Sequence, residues 1–160
     1  PFAAQEFVER YCSLPFGFRT EDCRKLWEFF NTPQQFVDAE NFRKDLIGSE
    51  LGNALQAKEM FKSLKPARNR DEFAHFVLMT DIRVNYLKFK QIDRHIESAD
   101  FRMADAADLE AELKVLIKEQ ESLQKRFNKL NKGYLQAPGE YYGSWSYPLK
   151  MKELLQKVSR

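Results

Sequence analysis

Glycine is scarce in this sequence of 160 residues, which contains only six. Nucleotide-binding loops need closely spaced glycines because a side chain would keep the backbone away from the phosphates, and neither the dinucleotide-binding nor the P-loop spacing occurs here. Long apolar runs are also missing, since none approaches the roughly 20 residues that cross a bilayer. The sequence therefore argues against most phosphate-binding folds and predicts no transmembrane segment of its own.

Neither sign of charge dominates, because 26 Lys and Arg face 24 Asp and Glu, for a formal net charge of +2. A dedicated nucleic-acid binder depends on many unopposed basic side chains, so nucleic acid is not expected as the main partner. Hydrophobic residues at 43% and charged residues at 31% are typical of globular domains. A chain of this length buries enough surface to fold without a metal or a disulfide.

Candidate catalytic and metal-binding residues are few. The only histidines are His75 and His95, and no Cys or His stands at ligand spacing beside either. No calcium-binding loop of alternating Asp and Asn around a central Gly is present. His75 lies between Phe73 and Phe76 and fits a hydrogen-bonded packing residue better than a base or a ligand. We therefore expect no enzyme activity, metal, cofactor or small-molecule substrate.

Two further features bear on the compartment. The only cysteines are Cys12 and Cys23. A disulfide between consecutive helices is one interpretation of this pair, and two reduced, packed thiols are the favoured one. The chain begins at Pro1 rather than Met, as it would after removal of a mitochondrial presequence or at the boundary of an excised fragment. An intracellular and specifically mitochondrial location is the expectation.

Apolar residues recur at helical spacing along the whole sequence, and sustained strand alternation is absent. An all-α fold is predicted. Its first half divides into four short helices because Pro and Gly interrupt the pattern at regular intervals. These helices run from about 3 to 13, from Thr20 through Phe30, from Pro33 through Leu46, and from Ser49 through Leu64. Such short helices are typical of a compact bundle or a helical-repeat array.

The second half predicts two long helices, at about 71–98 and 104–131, joined by a short link. The second carries leucine every seven residues, at Leu109, Leu116, Leu123 and Leu130, with Gln120 as a polar interruption. The short link predicts an antiparallel hairpin. Contact of this stripe with its own partner helix is the favoured interpretation. A seam shared with another chain is the alternative, and Leu116, Leu123 and Phe127 are its candidate partner-binding residues.

Residues 133–160 form an arm in which Gly and Pro alternate with aromatic residues, before a short helix at about 149–158. Tyr and Trp combine an apolar body with a polar edge and recur as interface anchors. Exposed on a free arm, they would be an aggregation liability, so they must pack on this chain or on a partner. The predicted anchors are Tyr141, Tyr142, Trp145 and Tyr147.

A local run of basic residues surrounds Pro66 at Lys62, Lys65, Arg68 and Arg70. Contact with an acidic protein surface, a phospholipid headgroup or RNA is one interpretation. A solvated basic segment that complements the carbonyl end of the preceding helix is the favoured one.

The predicted organisation has three parts. Residues 1–66 form a short-helix bundle, and residues 67–132 form a long helical hairpin packed on it in the same domain. Residues 133–160 form the aromatic arm and the terminal helix.

The last third of the sequence resembles one family. A charged helix ending Phe127-Asn128-Lys129-Leu130 is followed by Tyr141-Tyr142 and by Trp145-Ser146-Tyr147-Pro148. This arrangement is similar to the d-type peripheral-stalk subunit of F-type ATP synthase, which also joins long charged helices to an aromatic and proline-containing tail. The resemblance implies a structural role in a mitochondrial energy-converting complex, and it carries no functional residue over to this chain.

These observations together predict a non-catalytic structural or accessory subunit of a multi-protein assembly. Its partners would be other protein subunits, first among them those of a mitochondrial membrane complex such as ATP synthase. The alternative is a helical-repeat module that binds RNA through the basic run or acts as an adaptor.

Overall fold

The computed structural model describes residues 4–31, 47–133 and 147–159, which form helices and turns without a β-strand. The all-α fold expected from the sequence is confirmed. A 3-10 turn, Met103–Asp105, precedes the fifth of the six α-helices in these residues. The helices are α1 (Ala4–Phe16), α2 (Thr20–Asn31), α3 (Ile47–Ser63), α4 (Arg70–Ile96), α5 (Ala106–Leu130) and α6 (Tyr147–Val158). The predicted helix at Pro33–Leu46 lies outside the described residues.

Helix α1 continues past its predicted end, and Pro15 lies inside its last turn. The helix ends instead at Gly17, which has a φ of +65° and donates its backbone N–H to the Ser13 carbonyl oxygen at 2.9 Å. Glycine adopts this left-handed conformation without the steric cost that a Cβ would add. The glycine, rather than the proline, therefore sets the end of α1.

Helix α3 begins earlier than predicted, so Gly48 is part of the helix rather than its boundary. A glycine inside a helix costs about 1 kcal/mol relative to alanine. Ile47 at the first position is 5% exposed. Burying an isoleucine side chain gains about 1.5–3 kcal/mol, which outweighs the cost of the glycine.

The chain divides into two compact units, Pro1–Thr80 and Asp81–Arg160. The division falls within α4, whereas the sequence placed a boundary in the loop at residues 66 and 67. The difference arises because Phe73 packs among residues of the first unit, while Asn85 bonds to α5 in the second. The helical spacing of apolar residues is continuous along α4, so the sequence does not indicate that this helix contributes residues to two separate cores.

The core of the first unit is a cluster of aromatic rings. The Phe73 ring lies 6.0 Å from Phe16, 5.4 Å from Phe18 and 5.9 Å from Phe61 between centroids, all edge to face. This geometry brings the positive edge of one ring against the negative face of another. The other buried members are Cys23, Leu26, Ala57 and Leu64. Cys23 is a fully buried thiol, and the Cys12 side chain lies outside the described residues.

The turn after α3 closes the carbonyl end of α1. The Phe16 carbonyl oxygen accepts the backbone N–H groups of Ala67 at 2.8 Å and Arg68 at 3.2 Å. The Asn69 side-chain amide donates to the Pro15 carbonyl oxygen at 2.7 Å. The last carbonyls of a helix have no partner within it, so this turn satisfies them. Segments more than fifty residues apart in sequence are thereby joined.

The second unit is built from the end of α4, the 3-10 turn, α5 and α6. Helices α4 and α5 run antiparallel, because Asp81 pairs with Arg126, Asn85 bonds to Glu119 and His95 lies near Asp105. Helix α6 packs along α5 and buries three side chains at helical spacing, Tyr147, Met151 and Leu154. In the described residues, no helix combines the length and the apolar character needed to cross a membrane.

Gly17→Ala is expected to destabilise the first unit by about 1–3 kcal/mol, because the left-handed conformation strains any residue with a Cβ. The added Cβ would also lie 3.0 Å from the Ala67 Cβ. Urea denaturation followed by circular dichroism measures the change. Gly52→Ala is the control, since an added Cβ meets nothing within 4 Å there. It is expected to stabilise the chain by up to about 1 kcal/mol through helix propensity. Equal stabilities of the two variants would contradict this account of Gly17.

Candidate functional site

Tyr147 is the predicted anchor that falls within the described residues, and it is buried in its own chain. Its side chain is 5% exposed. The ring packs edge to face on Tyr86, with centroids 5.4 Å apart, and lies 6.3 Å from the Phe89 ring. Tyr147 thus holds the start of α6 against α4 and leaves little surface for another protein. The other predicted anchors, Tyr141, Tyr142 and Trp145, lie outside the described residues.

Asn85 is the centre of a buried polar network in the second unit. Its side chain is 0% exposed. The amide nitrogen donates to the Leu116 carbonyl oxygen at 3.1 Å and to Glu119 Oε2 at 3.0 Å. Its Oδ1 accepts the Tyr147 hydroxyl at 3.5 Å, which is a long and therefore weak bond. We call Asn85, Glu119, Tyr147 and the Leu116 carbonyl the Asn85 network; it joins α4, α5 and α6.

A salt bridge accompanies this network one helical turn away along α4. Asp81, which is 8% exposed, accepts a hydrogen bond from the Arg126 guanidinium at 2.7 Å. A nearly buried carboxylate is costly to leave unpaired, so the pair fixes α4 against α5 at a second point. An amide side chain does not ionise near neutral pH, so Asn85 serves to orient its neighbours rather than to act as an acid or a base. The arrangement is suited to holding helices in register.

Burial perturbs one titrating group beside the network. Desolvation in the packed ring cluster raises the pKa of the Tyr86 phenol, while the nearby Lys90 and Arg83 charges act in the opposite direction. The neutral phenol is therefore favoured in the folded chain.

The predicted heptad stripe faces the interior of the second unit. Leu116 is 5% exposed and Leu123 is 3% exposed, and Phe127 is half-buried. Gln120, the polar interruption, is buried as well. This burial supports contact of the stripe with helices of its own chain, which the sequence pattern favoured, over a seam shared with another chain.

The four basic residues around Pro66 are used in different ways. Lys62 pairs with Glu59 at 2.8 Å, and the Arg68 guanidinium donates to the Ser13 carbonyl oxygen at 3.3 Å. Arg68 thus complements the carbonyl end of α1, whereas the sequence pointed to that of the helix just before the run. Lys65 and Arg70 are exposed, and neither forms an ion pair with another described residue. The run is not a continuous unopposed basic surface.

The two histidines take part in local contacts. His75 Nδ1 lies 2.8 Å from the Asp71 carbonyl oxygen, one turn earlier in α4. His95 Nε2 lies 3.9 Å from Asp105 Oδ2, and its ring meets the Phe101 ring edge to face at 6.2 Å. Residues 4–31, 47–133 and 147–159 contain no group of three or more His, Cys, Asp or Glu placed to hold a metal ion.

The sequence did not predict an exposed apolar surface that lies on α4. Phe76 is 49% exposed and Met79 is 48% exposed, and they lie three residues apart on one face. The Phe76 ring stacks on Phe61 at 6.5 Å and meets Phe16 edge to face at 6.1 Å. This α4 patch, defined as Phe76 and Met79, continues the aromatic core outward.

The fold and the Asn85 network define an all-α protein whose identified polar contacts hold helices together. No family model matches this chain, nor does any curated protein or solved structure. The description of its function therefore rests on its own residues.

Asn85→Ala is expected to lower the free energy of unfolding by about 2–3 kcal/mol, because Glu119 and Tyr147 lose their buried partner. Asn128→Ala is the matched control, since the Asn128 bond found in the described residues lies within α5, to Gln124. A change of about 0.5 kcal/mol or less is expected for the control. Urea denaturation of both variants tests this. A cost for Asn85→Ala no greater than that of the control would show that the network is dispensable.

The Tyr86→Phe variant is expected to lose less stability at alkaline pH than the wild type does. The pKa of Tyr86 in the folded chain is raised above the ordinary value of 10.0. The contribution of Tyr86 to the free energy of unfolding is therefore complete below pH 10.0. As pH rises past it, the unfolded chain releases the phenol proton first and stability falls. Denaturation of both proteins across this range should show the wild type losing more free energy than Tyr86→Phe. A difference that stays constant with pH would contradict the assignment.

Proposed function

We propose that this protein is a non-catalytic structural or accessory subunit that acts through contacts with other proteins. The observation that carries the proposal is the α4 patch of Phe76 and Met79. Phenylalanine and methionine are enriched at protein interfaces, where they offer large apolar area. Single exposed apolar residues are ordinary, but these two share one helix face and adjoin a packed aromatic core. A surface of this kind is suited to docking on a neighbouring subunit.

The use of the polar side chains supports a non-catalytic role. The fully buried amide of Asn85 orients helices, and the nearly buried carboxylate of Asp81 is paired with Arg126. The histidines bond to, or pack on, residues of their own segments. A catalytic site instead groups a nucleophile or base with an activating partner in a concave space.

The assembly that we propose first is a mitochondrial membrane complex that converts energy, such as ATP synthase. The support is the resemblance of the last third of the sequence to the d-type peripheral-stalk subunit. Long helices held in register by buried polar contacts suit a subunit that resists mechanical load.

The second candidate function, which the sequence suggested, is an RNA-binding or adaptor module. The contacts around Pro66 weaken its basis, because Lys62 pairs with Glu59 and Arg68 closes the end of α1. RNA binding of the usual electrostatic kind needs several unopposed basic side chains.

Met79→Glu is expected to release the chain from its assembly, because a charge would be buried at the docking surface without a partner. The measurement is native affinity purification of the tagged full chain followed by mass spectrometry. Met103→Glu is the matched control, since Met103 is 79% exposed and belongs to the second unit. We expect partner recovery to fall more than about tenfold for Met79→Glu and to be kept by the control, as charge burial costs several kcal/mol.

The same purification separates the remaining alternatives. A variant with Tyr141, Tyr142 and Trp145 changed to Ala reports whether the aromatic arm contributes to docking. Recovery of a monomeric chain alone, unchanged by any of these substitutions, would sink the structural-subunit proposal. Recovery of RNA in a salt-dependent manner would favour the second candidate.

A further inference from the structure

The outward face of α5 carries a row of lysines. Lys118, Lys125 and Lys129 each follow a residue of the heptad stripe by two positions, which places them about 200° around the helix from it, and Lys132 follows Leu130 by two positions beyond the helix end. All four are exposed, with Lys132 in the turn after α5. Lys118 and Lys125 are spaced by seven residues, or about 10.5 Å along the helix axis. We call these four residues the lysine row.

The carboxylates that could neutralise this row are engaged elsewhere. Glu121 stands four residues before Lys125, the spacing of a helical ion pair, yet it pairs with Lys152 of α6 at 3.7 Å. Glu119 faces inward and accepts the Asn85 amide. Glu110 is paired with Lys114 in the preceding turns of α5. None of the four lysines forms an ion pair with another described residue, so their charges add along one side of the helix.

We infer that the lysine row binds an anionic phospholipid surface, with α5 lying along the membrane plane. Clusters of four to eight Lys or Arg on an amphipathic helix are typical of segments that bind anionic lipid headgroups. The opposite face of α5 is packed in the core of the second unit. That packing holds the part of the helix that carries the lysine row in place. Lysine side chains are long enough to lie along the helix and place their ammonium groups among lipid headgroups.

The composition of this face distinguishes a lipid surface from the other polyanionic partners. Protein interfaces are depleted in Lys and Ser, and Ser122 lies between Lys118 and Lys125 on this face. Nucleic-acid surfaces rely on arginine forks and on aromatic rings that stack on bases. The row contains neither. Binding to a lipid headgroup layer requires only exposed positive charge on the contacting surface, and the lysine row supplies it.

The test is co-sedimentation of the purified full chain with vesicles of phosphatidylcholine alone or mixed with phosphatidylserine. We expect binding to the mixed vesicles only, falling as salt is added, because screening weakens surface attraction. Each lysine near such a surface contributes about a fivefold increase in affinity. Changing all four residues of the row, Lys118→Gln, Lys125→Gln, Lys129→Gln and Lys132→Gln, should therefore lower the partition coefficient by more than about tenfold.

Two matched variants define what counts against the inference. A control with Lys65→Gln, Lys88→Gln, Lys150→Gln and Lys157→Gln removes the same charge elsewhere and is expected to keep most of the binding. A variant with the row changed to arginine keeps the charge and should bind as the wild type does. Circular dichroism confirms that each variant is folded before the vesicles are added.

Three results would overturn the inference: no binding of the wild type to mixed vesicles, an equal loss in the control variant, or a loss in the arginine variant. Tighter binding of the wild type to a structured RNA than to mixed vesicles, lost in the glutamine variant, would assign the row to nucleic acid instead. The inference goes beyond the proposed function and does not rest on it, because vesicle binding is measured on the purified chain without any partner subunit.

Discussion

The second unit depends on one buried side chain, the amide of Asn85. A fully buried amide must find partners, because each unmet hydrogen bond inside a protein costs about 1–3 kcal/mol. Asn85 meets this requirement with groups from two other helices, so α4, α5 and α6 have one arrangement in which its bonds are satisfied. A core packed by apolar contacts alone tolerates alternative arrangements before it loses stability. The amide removes that freedom, and the Asp81–Arg126 pair reinforces it.

Contacts between helices also decide how the charges of α5 are paired. Glu119 and Glu121 are drawn to neighbouring helices, the first by Asn85 and the second by Lys152. The outer side of α5 keeps its lysines, while Glu121 stays exposed and pairs with Lys152 of α6 rather than with Lys125. A chain with a net charge of only +2 thereby acquires one distinctly basic side. Contacts between the helices thus shape both the internal packing and the surface charge.

Local patterns predicted most of the fold. Apolar residues at helical spacing and the positions of Gly and Pro located the described helices to within a few residues, because these signals act over one or two turns. The heptad stripe of α5 correctly indicated its inner face. For the candidate site, the sequence predicted that the basic segment complements the carbonyl end of a helix. Arg68 does so at the end of α1 rather than of α3. The α4 patch was not anticipated, since exposure depends on what other helices cover.

By itself the sequence determined that this protein is built from helices, which face of each helix is apolar, and where most helices end. Those properties follow from backbone geometry and from the spacing of side chains within a single helix. Only the tertiary structure decided that α4 serves two cores, that Tyr147 is an internal anchor, and that Glu121 pairs with Lys152 instead of Lys125. These outcomes depend on competition between partners far apart in the chain, and that competition is resolved only when the helices meet.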